Sequence, residues 1–152
     1  MLQDYLNSKL ITYITGKHTK EEVLKTLVDL IRKNSDYLKD EKHFYENIVA
    51  REELGSTGIG QGIAIPHARS EKIEKFVVAI GLLENKINFN SPDGEDVKLI
   101  ILVGAPKGQN REYLSLVSQL MRTFRDKNFR ENILCAHNYQ ELLEAIAELK
   151  WE

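Results

Sequence analysis

Apolar positions along the first part of the chain recur at helical spacing. Val23, Leu24, Leu27, Val28, Leu30 and Ile31 share one face, which predicts a helix over about 19–33 with one buried side. Thr19-Lys20-Glu21-Glu22 at its start is a capping box, in which the Thr19 hydroxyl accepts from the Glu22 amide and Glu22 reaches back. Asn34-Ser35-Asp36 ends the helix. A second helix is expected over about 40–53, with Phe44, Ile48 and Val49 inward. Two later runs, 76–83 and 97–103, are continuously apolar and rich in Val, Ile and Leu. Such runs suit strands covered on both faces. Ile63-Ala64-Ile65 reads as a short buried strand stopped by Pro66, and Ile87-Asn88-Phe89 as a short third strand before the Ser91-Pro92-Asp93-Gly94 turn. The stretch 10–14, closed by Gly16, reads as a short strand or an extended lead-in.

Helical spacing returns over about 110–125, with Leu114, Val117, Leu120, Met121 and Phe124 aligned. Phe129, Ile133 and Leu134 suggest a short helix. Asn138 with Glu141 is a capping pattern opening a last helix whose inner face is Leu142, Leu143, Ile146 and Leu149. Strands interleaved with helices, without an internal repeat or a linker, argue for a single layered α/β domain over residues 1–152.

Composition narrows the function classes. With 42% hydrophobic residues in 152, the chain can bury a core without staples. The 21 basic and 23 acidic residues leave a net charge of −2, which makes no electrostatic case for a nucleic-acid partner. One cysteine excludes a disulfide framework and a cysteine-based zinc cluster. No apolar run approaches the roughly 20 residues of a membrane span. The N-terminus has no basic region or cleavage site, so a soluble, cytoplasmic protein without membrane insertion is expected.

Four of the 9 glycines fall between Gly55 and Gly62, too dense for a helix or a central strand. The pattern GxxxxGK[ST] is absent, and Gly58-Ile59-Gly60-Gln61-Gly62 lacks the GxGxxG spacing, so nucleotide binding has no support. HExxH and the deaminase pattern are absent as well, and no metal site is expected. What remains is His67. Pro66 fixes its own φ and biases Ile65 to extended backbone, which aims the imidazole. The glycines allow backbone amides to approach an oxyanion, and Ser56 and Thr57 add hydroxyl donors. Arg51 and Arg69 flank the segment, and a guanidinium fork matches phosphate geometry. An imidazole among anion-stabilising donors, with no metal or nucleotide loop, is what reversible histidine phosphorylation needs. The plain alternative is a glycine-rich turn holding a structural histidine.

The segment REELGSTGIGQGIAIPHA, 51–68, resembles the signature of phosphotransferase-system enzyme IIA domains of the fructose/mannitol type, a group that includes the nitrogen-regulatory IIA proteins. The likeness extends more loosely over nearly the whole chain. It implies a mixed sheet flanked by helices, no cofactor, and His67 as the residue that accepts phosphoryl from the phosphocarrier HPr. It implies a role for Arg51 in supporting the site and for Thr57, Gly58 and Gly60 in the loop beside it. The phosphoryl group would pass to an enzyme IIB domain, or be held as a signal read by a regulatory target protein. One position departs. Where the family usually has a second histidine followed by leucine, this chain has Tyr113-Leu114. A tyrosine keeps a hydroxyl donor but cannot become cationic, so a regulatory domain with impaired transfer is the alternative this departure leaves open.

The remaining reactive residues have plainer readings. His18, His43 and His137 are expected at structural or surface positions, and Cys135 as a buried thiol. Lys107, Arg111, Arg122, Arg125, Lys127 and Arg130 are expected to form a solvated basic face.

Overall fold

The computed structural model of the protein describes residues 2–148. Two short 3-10 turns, Leu2–Tyr5 and Ser8–Leu10, lead into β1 (Ile11–Ile14). Then come α1 (Lys20–Asn34), α2 (Glu41–Leu54), β2 (Gly58–Gly60), β3 (Ile63–Ala64) and β4 (His67–Ser70). β5 (Val77–Ile87), β6 (Val97–Pro106), α3 (Asn110–Arg125), α4 (Lys127–Leu134) and α5 (Tyr139–Ala147) complete the order.

The strands form one mixed sheet in the order β1-β5-β6-β3-β2, with β4 also on β6. β1 runs parallel to β5, β5 antiparallel to β6, and β3 and β4 both parallel to β6. The pairs Ala64↔Ile100 and His67↔Val103 keep one register. β3 and β4 are therefore two pieces of one line along β6, interrupted at Ile65-Pro66. β2 is an edge strand, antiparallel to β3, with an irregularity at Ile59 between the pairs Gly58↔Ala64 and Gly60↔Ile63.

Helices cover both faces, as the continuous apolar runs require. On one face α1 and α2 pack Leu24, Leu27, Ile31, Phe44 and Ile48 against Ala79, Ile100 and Leu102. On the other, Leu116, Leu120 and Phe124 of α3, with α4 and α5, pack against Val78, Ile80, Leu99 and Ile101. The α1 capping box forms in full. The Glu22 amide donates to Thr19 Oγ1 at 3.1 Å, and the Thr19 amide donates to Glu22 Oε1 at 2.9 Å. Asp40 caps α2 by accepting from the His43 amide at 3.0 Å. Among the described residues no helix is long and apolar enough to cross a membrane.

Several expectations change. Ile87-Asn88-Phe89 is not a separate strand. β5 continues through the polar Glu84-Asn85-Lys86 to Ile87, and the Asn90 amide donates to Asn88 Oδ1 at 2.9 Å, turning the chain. β4 follows Pro66 at once, where the proline had suggested a stop; the Pro66 carbonyl still accepts from Val103 at 2.9 Å. In the first half of α3, Tyr113 and Leu116 go inward and Leu114 is 65% exposed, while Leu120 and Phe124 are buried as expected. Val49 and Leu30 are half-buried. At α5, the Glu141 amide donates to Asn138 Oδ1 at 2.9 Å, but the Glu141 carboxylate takes the His137 amide rather than that of Asn138. Cys135 is exposed, because α4 buries Phe129 and Ile133 and the cysteine falls just past its end. Leu149, expected inside the last helix, lies outside the described residues.

Candidate functional site

The end of α2, the start of β4 and the start of α3 meet at an open cleft of about 920 Å³. Arg51 and Leu54 enter it from α2, His67 and Arg69 from β4, Lys107 and Gly108 from the β6–α3 turn, and Asn110 and Tyr113 from α3. Gly108 has φ 92°, a left-handed conformation that suits glycine and turns the strand end into the helix. Three of these side chains are cationic. Glu53 is the acid in the wall.

His67 Nδ1 lies 2.7 Å from the Ile65 carbonyl oxygen. A carbonyl can only accept, so Nδ1 carries the proton and Nε2 keeps its lone pair. Burial is the main influence pulling the imidazole pKa below its ordinary 6.5; the Ile65 carbonyl opposes it, the Arg51 charge adds to it, and Glu52 works against it. The ring is thus held neutral and nucleophilic. The Tyr113 ring stands 5.8 Å from the His67 ring, tilted by 59°. Burial raises the Tyr113 pKa, with Arg69 and Arg51 opposing, so the phenol stays protonated as a donor. The Arg69 guanidinium lies 5.2 Å from the centre of the Tyr113 ring and donates to Asn110 Oδ1, which fixes it across the mouth of the cleft. Arg51 Nη1 donates to the Gly55 carbonyl at 2.8 Å. Gln109 gives α3 no side-chain cap, so its first-turn amides are not taken from that side.

The depressed imidazole pKa has a consequence for stability. The unfolded histidine binds a proton more readily than the folded one. The favourable contribution is therefore complete above about pH 6.5 and is lost as pH falls through the lowered folded value. Urea midpoints measured across this window should fall more steeply for the wild-type protein than for His67→Gln. Parallel curves would show that burial does not hold the ring neutral.

His67, Arg51, Arg69 and Tyr113 are brought together. Ser56, Thr57, Gly58 and Gly60 are not in the lining of the cleft. The Ser56 hydroxyl donates to the Phe89 carbonyl, and its oxygen accepts from the Gly58 amide at 3.0 Å. The Thr57 hydroxyl donates to Glu52. Gly58 faces Ser91, where a Cβ would collide with the serine hydroxyl, so this glycine serves close packing. These residues build the support under the histidine instead of reaching the cleft.

Asn110, Leu54 and Glu53 were not foreseen. Asn110 had a readable signal, since it opens a helix after a buried strand, where ligand-facing residues concentrate. Among the other histidines, His18 Nε2 lies 2.7 Å from the Thr15 carbonyl, and His43 Nδ1 lies 3.0 Å from Ser70 Oγ. In the basic segment 107–130, Arg122 donates to Ser118 Oγ and Arg130 to the Arg125 carbonyl, both at 2.8 Å, local contacts on an exposed face. No group of histidine, cysteine and acidic side chains that could hold a metal ion occurs among the described residues.

The family described as phosphoenolpyruvate-dependent sugar phosphotransferase system, EIIA 2, matches residues 4–149. A nitrogen regulatory protein of Bradyrhizobium diazoefficiens is 31% identical over 72% of this chain and 71% of its own length. The fructose-specific EIIABC component of Bacillus subtilis is 30% identical over 90% of this chain, which spans 23% of that longer protein. The crystal structure of nitrogen regulatory protein IIA-Ntr from Neisseria meningitidis superposes with a TM-score of 0.81 at 28% identity, covering 94% of this chain and 97% of that one.

Proposed function

The chain belongs to the EIIA 2 family of the phosphoenolpyruvate-dependent sugar phosphotransferase system, and from that premise we propose that it is a phosphoryl carrier charged on His67 Nε2. The observation that carries this reading is the Nδ1–H bond to the Ile65 carbonyl, which leaves Nε2 as the free nucleophile in a cationic cleft. The donor is phospho-HPr and the acceptor an enzyme IIB domain.

In the forward step the Nε2 lone pair attacks phosphorus, and the donor's phosphorus–nitrogen bond breaks with its electron pair staying on the donor nitrogen. The His67 ring gains positive charge, which the Nδ1–H bond to Ile65 stabilises. Arg51 and Arg69 offset the charge on the equatorial oxygens, and the Tyr113 hydroxyl supplies a neutral donor. Nothing else is needed, since phosphoryl transfer depends mostly on positioning and electrostatics. No proton moves in the exchange, so transfer runs in either direction by the same path.

Intact mass spectrometry after incubation with phosphoenolpyruvate, enzyme I and HPr tests this. One acid-labile phosphoryl group should appear. A folded protein with unchanged mass would refute the carrier role.

Partner docking has a visible platform. Leu54 is 86% exposed in the cleft wall, and Leu114 stands exposed beside Tyr113. Two apolar knobs flanking a reactive group suit a small, transient protein interface. Replacing both with aspartate should change stability by no more than about 0.5 kcal/mol while slowing transfer from phospho-HPr at least about tenfold. Stopped-flow or quenched transfer assays read the rate. An unaltered rate would place the interface elsewhere.

A regulatory reading of the same site is favoured by the nitrogen regulatory relatives. In that version, charge on His67 changes which target protein binds at the cleft.

A further inference from the structure

The carrier chemistry leaves one buried acid unused. Glu52, in the last turn of α2, has a side chain only 5% exposed. Its Oε2 accepts from Lys20 Nζ at 2.8 Å, and that ammonium lies 4.1 Å from the centre of the Phe89 ring. Its Oε1 accepts from the Thr57 amide at 3.2 Å and from the Thr57 hydroxyl. Both carboxylate oxygens are thus partnered, as burial this deep requires.

What Glu52 does to the strand pairing matters more. The register Gly58↔Ala64 puts Thr57 opposite Ile65. Opposed residues of a hydrogen-bonded antiparallel pair normally exchange both backbone bonds. Here half of the exchange is made: the Ile65 amide donates to the Thr57 carbonyl at 3.0 Å. The returning donor, the Thr57 amide, has turned to Glu52 instead. The Ile65 carbonyl is left over, and His67 Nδ1 takes it at 2.7 Å.

We propose that Glu52 is a positioning residue for His67: by drawing the Thr57 amide out of the β2–β3 ladder it frees the Ile65 carbonyl for the imidazole Nδ1–H, and so keeps the lone pair on Nε2. Its effect on transfer rests on the carrier reading, whereas its effect on the tautomer does not. Without Glu52, the Thr57 amide competes for the Ile65 carbonyl and the ring is released to its other tautomer.

The test uses long-range proton–nitrogen NMR spectra of the His67 ring beside the rate of phosphorylation by phospho-HPr. The double replacement Lys20→Met with Glu52→Leu removes the acceptor without stranding a buried charge. The Nε2–H tautomer should then become readily visible. The maximal transfer rate should fall about tenfold, as expected for a misplaced nucleophile, with the dependence on phospho-HPr concentration unchanged. Lys20→Met with Glu52→Gln keeps a neutral acceptor of the same shape and should restore most of both. Thr57→Val, which loosens the carboxylate while leaving the ion pair, should give a smaller change in the same direction, and Thr57→Ser none. If the folded proteins carrying Glu52→Leu or Thr57→Val keep the wild-type tautomer and rate, Glu52 has only a packing role. Should the tautomer shift appear while the wild-type protein takes up no phosphoryl group, the carrier reading fails and the positioning role stands.

Discussion

Replacing His67 with alanine is expected to reduce phosphorylation by phospho-HPr to background, a loss of at least about a thousandfold, as for other deleted nucleophiles. The argument is geometric. Among the cleft residues, His67 alone is a neutral nitrogen base with a lone pair, and the Ile65 carbonyl fixes which nitrogen bears it. Tyr113 is held protonated by burial and is a poor nucleophile at neutral pH. The arginines and Lys107 are cations. Removing the ring loses one half-buried side chain and one hydrogen bond, so the folded state should survive with a change of about 1 kcal/mol. Intact mass and thermal unfolding, run on the same sample, separate the two effects. A phosphorylated, acid-labile His67→Ala protein would move the reactive residue elsewhere.

Phe44→Ala should have the largest effect on stability, about 3–5 kcal/mol, the usual range for emptying a fully buried aromatic site. Phe44 is fully buried between α2 and the sheet, and its ring tip lies 2.9 Å from where a Cβ on Gly104 would stand. The space vacated is bounded by Gly104, which has no side chain to move into it. Against a typical total of about 5–15 kcal/mol, the loss should lower the urea midpoint strongly with the slope unchanged. A loss below about 1 kcal/mol would show that the surrounding side chains collapse into the space.

The parts of the fold that were legible in the sequence are those governed by local rules. The Thr19 capping box, the Asn138 cap and the two long apolar strands depend on neighbours a few residues away. β4 was not legible, because its sequence, His67-Ala68-Arg69-Ser70, is polar and follows a proline. Its strand character comes from β6, which lies over thirty residues downstream. The choice of Leu116 over Leu114 in the first half of α3 has the same origin. Leu114 and Leu116 fit helical faces about equally well, and only packing on the sheet chooses between them.

The candidate site divides in a similar way. His67, Arg51 and Arg69 could be singled out by residue type and spacing and Tyr113 by the family resemblance, and the fold gathers them. Ser56 and Thr57 looked like free donors because a sequence does not show which acceptors already occupy a hydroxyl. Here those acceptors are the Phe89 carbonyl and Glu52. Glu52 gave no signal of its own, since a glutamate in the last turn of a helix usually faces water.

The short edge strand β2 carries a last consequence. An open sheet edge offers unpaired amides and carbonyls to any other extended chain, and long flat edges seed intermolecular association. β2 has three residues, two of them glycine, and a kink at Ile59 breaks its register. Next to it, Asp93 accepts the Gln61 amide at 2.9 Å and removes one donor from the rim. The glycine-rich segment under the histidine therefore also blunts the edge, denying a stray strand the continuous template on which cross-molecular pairing would grow.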